Sequence, residues 1–203
     1  LDCEDFGAEG ITVHPRPDER HIRYSDVRTI RPLIRTEFNI EGNPIPSFID
    51  LVTEVVPDQV TLVPDAHNAI TSNAGWDTIR NRDFLTEVCS EFKAKGIRTS
   101  IFVDPEPRMA EAAAACGCDR IELYTESYAS MYAKDRESAI APFIRTAEAA
   151  RNAGLGVNAG HDLNLENLEY FIRNIPWTAE VSIGHAIICD ALYMGLEQTI
   201  QAY

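Results

Sequence analysis

Apolar and polar positions alternate along this chain in short blocks, and each block pairs an extended segment with a helical one. Short runs rich in β-branched and apolar residues, bounded by Gly, Pro or charged positions, predict strands. Seven such runs occur, at residues 10–14, 37–42, 59–64, 97–104, 120–125, 156–161 and 179–185. A regular alternation of strand and helix is typical of an α/β protein with a parallel sheet.

The segments between the strands carry apolar residues every three or four positions, which predicts amphipathic helices. Helices are predicted at 25–34, 46–55, 84–95, 105–115, 138–152, 165–172 and 191–200. Ser25 is a candidate N-cap, and the apolar face that follows it is expected to carry Val27, Ile30, Leu33 and Ile34. The polar stretch 65–77 is a long loop, and a loop of this length is more often functional than idle.

The repeat from one strand to the next is about 28 residues, the length of a βα unit. We therefore predict one domain over residues 1–203 with the α/β fold of a (β/α)8 TIM barrel. Such barrels usually need about 250 residues, so we expect the first strand, and the true N-terminus, to precede residue 1. The alternative, a doubly wound open sheet, predicts a glycine-rich phosphate loop after an early strand, and none is present.

Composition narrows the possible partners. The formal net charge of -14 argues against a nucleic-acid surface, which would need a basic face. No apolar run approaches the ~20 residues of a membrane span. The five cysteines have no metal-site spacing, which favours unpaired thiols in a reducing cytosol and a cytoplasmic protein.

Imidazole and carboxylate side chains stand where the predicted strands end, which is where barrel enzymes place their reactive groups. His14, Glu41, His161 and His185 occupy such ends, and Gly184 precedes the last of them. These groups can move protons near neutral pH. The pattern therefore predicts an enzyme that uses acid and base groups from several strands.

A basic loop follows the first strand and contains Arg16, Arg20 and His21. In an acidic chain such a cluster indicates a pocket for an anionic substrate, and a guanidinium can hold phosphate through two donors. Thr71 lies in the long loop, and Glu122 lies within a strand and is expected inside the barrel. Together these residues predict a barrel enzyme that handles phosphorylated substrates.

Each of these residues also has a structural interpretation. A histidine at a strand end is often only a hydrogen-bonded structural group, and Glu41 or Glu122 could be a buried ion-pair partner. Arg16 could be a solvated loop residue. A metal site built from the histidines and Glu41 is a further alternative, but no H-x-H or H-E-x-x-H spacing supports it, so no metal is predicted.

Several stretches, taken in order, resemble the pyridoxine 5′-phosphate synthase family of vitamin B6 biosynthesis. The most specific are Val-Asn-Ala-Gly-His at 157–161 and Ile-Gly-His-Ala-Ile-Ile at 183–188. Shorter matches lie at 10–16, 20–22, 39–41, 62–64 and 121–125. The resemblance covers nearly the whole chain and implies a (β/α)8 barrel without a metal or organic cofactor. It implies condensation of 1-deoxy-D-xylulose 5-phosphate with 3-amino-2-oxopropyl phosphate.

The resemblance also implies roles for individual residues. His14 and Glu41 match the family's bases, His161 its proton donor, and Glu122 its buried transition-state-stabilising carboxylate. Substrate-binding positions of the family match Arg16, His21, Thr71, Asp162, Gly184 and His185. The loop 65–77 resembles the family's closing loop, and the family forms homo-oligomers, with octamers expected.

The chain departs from the family pattern at two places. Asp162 stands where many relatives carry Gly. We therefore expect this residue to contact the substrate through its backbone only. The Asn-x-Asp-His pattern of the family's first strand is absent. Two other functions stay open: an aldolase or isomerase acting on one phosphosugar, and a non-catalytic barrel that binds a phosphorylated metabolite.

Overall fold

A computed structural model describes residues 1–65 and 72–203, where a seven-stranded parallel sheet is surrounded by helices. The strands are β1 Gly10–Val13, β2 Glu37–Gly42, β3 Gln59–Leu62, β4 Arg98–Val103, β5 Arg120–Tyr124, β6 Gly156–His161 and β7 Thr178–Ile183. The α-helices are α1 Asp2–Asp5, α2 Tyr24–Ile30, α3 Pro46–Val55, α4 Arg82–Ala94, α5 Pro107–Ala115, α6 Glu126–Tyr132, α7 Arg136–Asn152, α8 Leu168–Asn174, α9 His185–Met194 and α10 Leu196–Ala202.

The strands follow one another in the sheet in chain order, each parallel to the next. The sheet curls on itself. This curvature is evident from the hydrogen bond that Gln59 of β3 donates to Glu180 of β7 over 3.0 Å. Two strands four places apart could not meet in this way on a flat sheet. The predicted (β/α) barrel architecture is confirmed as a nearly closed barrel of seven described strands with helices between them.

Inward and outward positions alternate along every strand, as the pleat requires. The outward side chains are apolar and buried against the helices, and include Phe38, Ile40, Val60, Leu62, Ile101 and Leu123, all with 0% exposure. The inward side chains are mostly polar and bond to one another across the barrel: Asn39, Gln59, Thr61, Arg98, Arg120, Glu122, Asn158 and Glu180. The hydrophobic core is therefore a ring around the sheet, and the barrel interior is polar.

An ionic cluster closes the amino-terminal end of the barrel. Arg98 and Arg120 are the first residues of β4 and β5, and both contact the carboxylate of Glu180. Arg98 also contacts Glu37, the first residue of β2. Because each charge meets an opposite charge, the desolvation cost of placing these groups inside the barrel is offset.

Three helix predictions were wrong in detail. Ser25 is not an N-cap, because α2 begins at Tyr24 and its N-cap is Arg23, whose backbone amide donates to Asp26. The helix expected at 25–34 ends at Ile30 and gives way to a 3₁₀ turn, because Pro32 lacks the amide hydrogen that a longer α-helix needs. Leu33 is consequently 49% exposed instead of lying on the buried face. The last predicted helix is divided into α9 and α10 at Gly195, whose φ of 81° interrupts the helical backbone.

No helix within residues 1–65 and 72–203 is both long enough and apolar enough to cross a membrane.

Candidate active site

His14 and Glu41 lie side by side at the carboxyl-terminal mouth of the barrel. Pro15 cannot extend the strand, so the chain leaves the sheet at His14, directly after β1. The register pairs Val13 with Ile40 and so places His14 beside Glu41 of β2. His14 Nδ1 is 3.6 Å from Glu41 Oε2, and the two side chains are 20% and 18% exposed.

A third group, Asp65, completes this arrangement and was missed by the sequence analysis. Its Oδ2 atom lies 3.6 Å from His14 Nε2 and accepts hydrogen bonds from Arg16 over 2.7 Å and from Ser72 over 2.9 Å. The amide of Asn43 donates to the Asp65 carbonyl oxygen over 2.6 Å and fixes the backbone there. His14 therefore stands between two carboxylates.

The electrostatics of this cluster favour proton acceptance near neutral pH. Burial, followed by the nearby Arg16 guanidinium, lowers the pKa of His14 to about 4. Burial, followed by the charge of Asp65, raises the pKa of Glu41 to about 7. A neutral imidazole and a carboxyl group that titrates near pH 7 can both take protons from a bound substrate.

His161 ends β6 on the same mouth, in a strained backbone conformation. Its φ of 100° is rare for a residue with a side chain and marks a position held by its surroundings. The imidazole packs against Tyr124, with ring centroids 5.2 Å apart, and against Phe102 at 5.8 Å. Burial lowers the pKa of His161. The negative charge of Asp65 partly opposes this shift, whereas the positive charge of Arg16 adds to it.

Glu122 lies below the mouth, inside the barrel, and is only 3% exposed. Burial, followed by the charges of Glu41 and Glu180, raises its pKa well above the ordinary value. Gly160 on the neighbouring strand leaves room for this carboxyl group, because a Cβ atom at that position would overlap Glu122 Oε1. The site therefore contains a buried carboxyl group with a raised pKa beneath the two proton acceptors.

The predicted substrate-binding residues occupy different surroundings. Arg16 is 8% exposed and points at Asp65, so it is a buried cation and not a solvated loop residue. His21 is exposed on the loop after β1. Asp162 is exposed, and its Oδ2 lies 3.9 Å from His161 Nδ1. Thr71 lies outside the described residues.

Gly184 and His185 are both exposed at the end of β7, where they begin helix α9. Gly184 is the N-cap and His185 the first helical residue of this ten-residue helix. Backbone amides at the amino-terminal end of a helix can donate hydrogen bonds to a bound anion. Across residues 1–65 and 72–203, no three His, Cys, Asp or Glu side chains are grouped so that they could hold a metal ion.

Comparison with known proteins gives one consistent family. The profile described as "Pyridoxal phosphate biosynthesis protein PdxJ" matches residues 1–203. A pyridoxine 5′-phosphate synthase of Bacteroides fragilis (strain YCH46) is 68% identical over 203 residues, covering 100% of this chain and 86% of that protein. The enzyme of the same name from Bacteroides thetaiotaomicron is 65% identical, with the same coverage of both chains.

Solved structures with low sequence identity share the fold. Phosphoribosylanthranilate isomerase from Thermotoga maritima, in a monomeric form, superposes with a TM-score of 0.61 at 17% identity, covering 98% of this chain and 87% of that one. A putative fructose-1,6-biphosphate aldolase from Coccidioides immitis gives 0.62 at 15% identity, covering 95% and 77%. These similarities support the barrel architecture alone.

Proposed function

This chain belongs to the PdxJ family of pyridoxal phosphate biosynthesis proteins, and we propose that it is a pyridoxine 5′-phosphate synthase. In the reaction, 1-deoxy-D-xylulose 5-phosphate condenses with 3-amino-2-oxopropyl phosphate, and the products are pyridoxine 5′-phosphate, inorganic phosphate and water. The observation that carries the proposal is the position of His14, which lies between Glu41 and Asp65 and beside the buried Arg16.

The reaction needs several proton transfers in one pocket. The amine must add to a ketone, phosphate must leave, and water must be removed, and each step moves a proton. His14 is neutral at pH 7 and Glu41 titrates near pH 7, so both can remove protons from carbon or nitrogen. Their different environments allow them to act at different steps.

His161 is proposed as the proton donor to a leaving group. Burial lowers its pKa in the free protein, whereas a bound phosphate would add negative charge and raise the pKa again. Substrate binding would thus favour the protonated imidazole of His161, which could then donate its proton to the leaving group. Glu122, which is 3% exposed below the mouth, can stabilise a developing charge in a place where water does not compete.

Two phosphate sites are proposed at the mouth, one after β1 and one after β7. Arg16 and His21, with Thr71, would bind the phosphate of the deoxyxylulose substrate, because Arg16 already offers a buried guanidinium to an acidic group. Gly184 and His185, at the amino end of α9, would bind the phosphate of the aminoketone. Asp162 would contribute through its backbone. Binding energy from both phosphates would position the reacting carbons.

The test is to incubate the purified protein with both substrates and follow the pyridine chromophore and free phosphate together. Equal amounts of the two products are expected, and neither product should form when one substrate is left out. His14→Ala should lower kcat by at least 10²-fold while the melting temperature changes little. Absence of product from the wild-type protein at saturating substrate would refute the proposal.

An aldolase that forms a Schiff base with its substrate is not favoured. The chain has three lysines, Lys93, Lys95 and Lys134, and all are exposed and outside the strands. Such an enzyme needs a lysine that reaches the substrate carbonyl. Borohydride should therefore trap no substrate on the protein.

We also propose that the protein is a cytoplasmic homo-oligomer. Helix α9 exposes large apolar side chains, with Ile188 62%, Leu192 81% and Tyr193 92% exposed, which supports an interface between copies of the chain. All five cysteines are free, as expected in a reducing compartment. Light scattering after gel filtration tests the association, and Leu192→Asp should reduce the measured mass.

A further inference from the structure

His161 occupies a position at which the pleat of the strand should turn a side chain away from the barrel interior. Along β6, Gly160 faces inward, since a Cβ atom there would overlap Glu122. Asn158, two residues earlier, also faces inward and donates a hydrogen bond to Glu180 over 2.9 Å. Because side chains alternate along a strand, the next position after Gly160 should point outward, toward the helices.

The imidazole of His161 nevertheless lies among side chains of the inner face. It packs against Phe102 and Tyr124. The register pairs Phe102 with the inward Glu122, and Tyr124 lies two residues beyond Glu122 on β5, so both rings belong to the inner face. The φ of 100° accounts for this reversal, because it departs from the strand conformation and redirects the side chain.

One hydroxyl group, that of Thr125, joins the two peptide groups on either side of the His161 Cα atom. It donates to the Gly160 carbonyl oxygen over 2.6 Å and accepts from the Asp162 backbone amide over 3.4 Å. The Thr125 backbone amide also donates to the Gly160 carbonyl oxygen, over 3.2 Å. Thr125 is 0% exposed, so water does not compete for its hydroxyl. Since peptide groups are planar, holding both of them fixes φ and ψ of the residue between them.

A second set of contacts holds the chain directly after His161. The Asn167 side-chain amide donates to the Asp162 carbonyl oxygen over 3.2 Å, and its Oδ1 accepts from the Asn164 backbone amide over 2.9 Å. The Tyr128 hydroxyl donates to the Asn167 carbonyl oxygen over 2.7 Å. Asn167 is 3% and Tyr128 0% exposed. The segment that follows β6 is therefore fixed both to α6 and to the start of α8.

We infer that Thr125 is a positioning residue that holds the imidazole of His161 on the inner face of the barrel, and that Asn167 supports it from the other side. The inference deepens the proposed function, on which its catalytic consequence rests. A strained backbone conformation persists only where its surroundings enforce it. Without the Thr125 hydroxyl, residue 161 should return toward an ordinary strand conformation, and its imidazole should leave the two aromatic rings.

The first experiment records the imidazole signals of His161 by NMR in the ligand-free protein, with His161→Gln assigning them. The wild type should show ring-current shifts and nuclear Overhauser effects from Tyr124, whose ring centroid is 5.2 Å away. Thr125→Val keeps the side-chain shape but removes the hydroxyl, so both signatures should be largely lost, whereas Thr125→Ser should retain them. Unchanged imidazole signals in Thr125→Val would overturn the inference.

Thr146 provides a matched control. It is 0% exposed, and its hydroxyl donates to the Pro142 carbonyl oxygen within α7 over 2.9 Å. Thr146→Val therefore removes a buried hydroxyl of the same kind without removing a hydrogen bond to the neighbours of His161. Its imidazole signals should match those of the wild type. A change equal to that of Thr125→Val would show a general effect of lost stability and would also overturn the inference.

The second experiment measures the strain at residue 161. Glycine adopts positive φ more readily than alanine, so His161→Gly should unfold at a higher urea concentration than His161→Ala. Adding Thr125→Val to both variants should reduce this difference, because residue 161 is then able to change its conformation. Adding Asn167→Ala should reduce it as well, which gives a second route if the first combination does not fold. Equal differences with and without these changes would refute the positioning role.

The synthase assay separates this inference from the proposed function. Thr125→Val should lower kcat by about 10²-fold, the cost of displacing a reacting group by about 1 Å. The KM for 1-deoxy-D-xylulose 5-phosphate should change little, because Arg16 and His21 lie on the loop after β1. Thr125→Ser should recover most of kcat. An inactive wild-type protein with the predicted NMR changes would refute the proposed function alone, whereas normal kcat in Thr125→Val would refute the catalytic consequence of the positioning.

Discussion

Removing the charge of Glu41 should stabilise the protein at alkaline pH while it damages the site. In the folded protein, burial and then Asp65 raise the pKa of Glu41 from 4.5 to about 7. Each pKa unit corresponds to about 1.4 kcal/mol, so ionised Glu41 opposes folding by roughly 3 kcal/mol above pH 7. Glu41→Gln keeps the shape of the side chain and removes this cost.

The expected pH dependence has a definite sign. The folded state holds the Glu41 proton more tightly than the unfolded state, so this group favours folding fully below pH 4.5 and loses its contribution as the pH rises to about 7. The free energy of unfolding of Glu41→Gln, minus that of the wild type, should therefore rise across this interval and level off above it. Urea denaturation at a series of pH values measures this difference.

Glu91→Gln is the control, because Glu91 is exposed on α4 and its loss should give a nearly flat difference curve. A flat curve for Glu41→Gln as well, or one that falls as the pH rises, would refute the electrostatic account of the site.

Three further predictions concern the same mouth. Gly160→Ala should lower kcat at least tenfold and destabilise the fold by about 1–3 kcal/mol, since the new methyl group would overlap Glu122; wild-type kinetics and melting would contradict this. Asp65→Asn should tighten inorganic phosphate binding about fivefold, or about 1 kcal/mol, because Arg16 loses a competing charge; weaker binding by calorimetry would contradict it. The kcat/KM of the wild type should rise with pH to an inflection near 7, where Glu41 loses its proton; a pH-independent profile would exclude Glu41 as a base.

The strands and the histidine–carboxylate pair could be predicted because local rules govern them. Apolar runs, helical spacing and Pro15 place His14 at a strand end, and the barrel rule then places Glu41 on the same mouth. The register that pairs Val13 with Ile40 agrees with this expectation. The roles of these residues in the reaction remain predictions.

Asp65 could not be predicted because its position depends on contacts between distant segments. It follows β3 in a polar loop, where a single aspartate has no distinguishing local pattern. Its orientation results from the Asn43 amide on its carbonyl oxygen and from Arg16 on its carboxylate. The hydrogen bonds of Thr61 could likewise not be predicted from the sequence, because they depend on the exact curvature of the sheet.

The ring-shaped core divides each strand between two tasks. In β2, Phe38 and Ile40 are completely buried against the helices, whereas Asn39 and Glu41 on the alternate positions face the polar interior. Mutations that alter the reaction should therefore fall largely at the inward positions of a strand. Mutations that alter stability should fall largely at the outward positions between them. A protein arranged in this way can acquire new substrates through its inner wall while the outer wall continues to hold the helices in place.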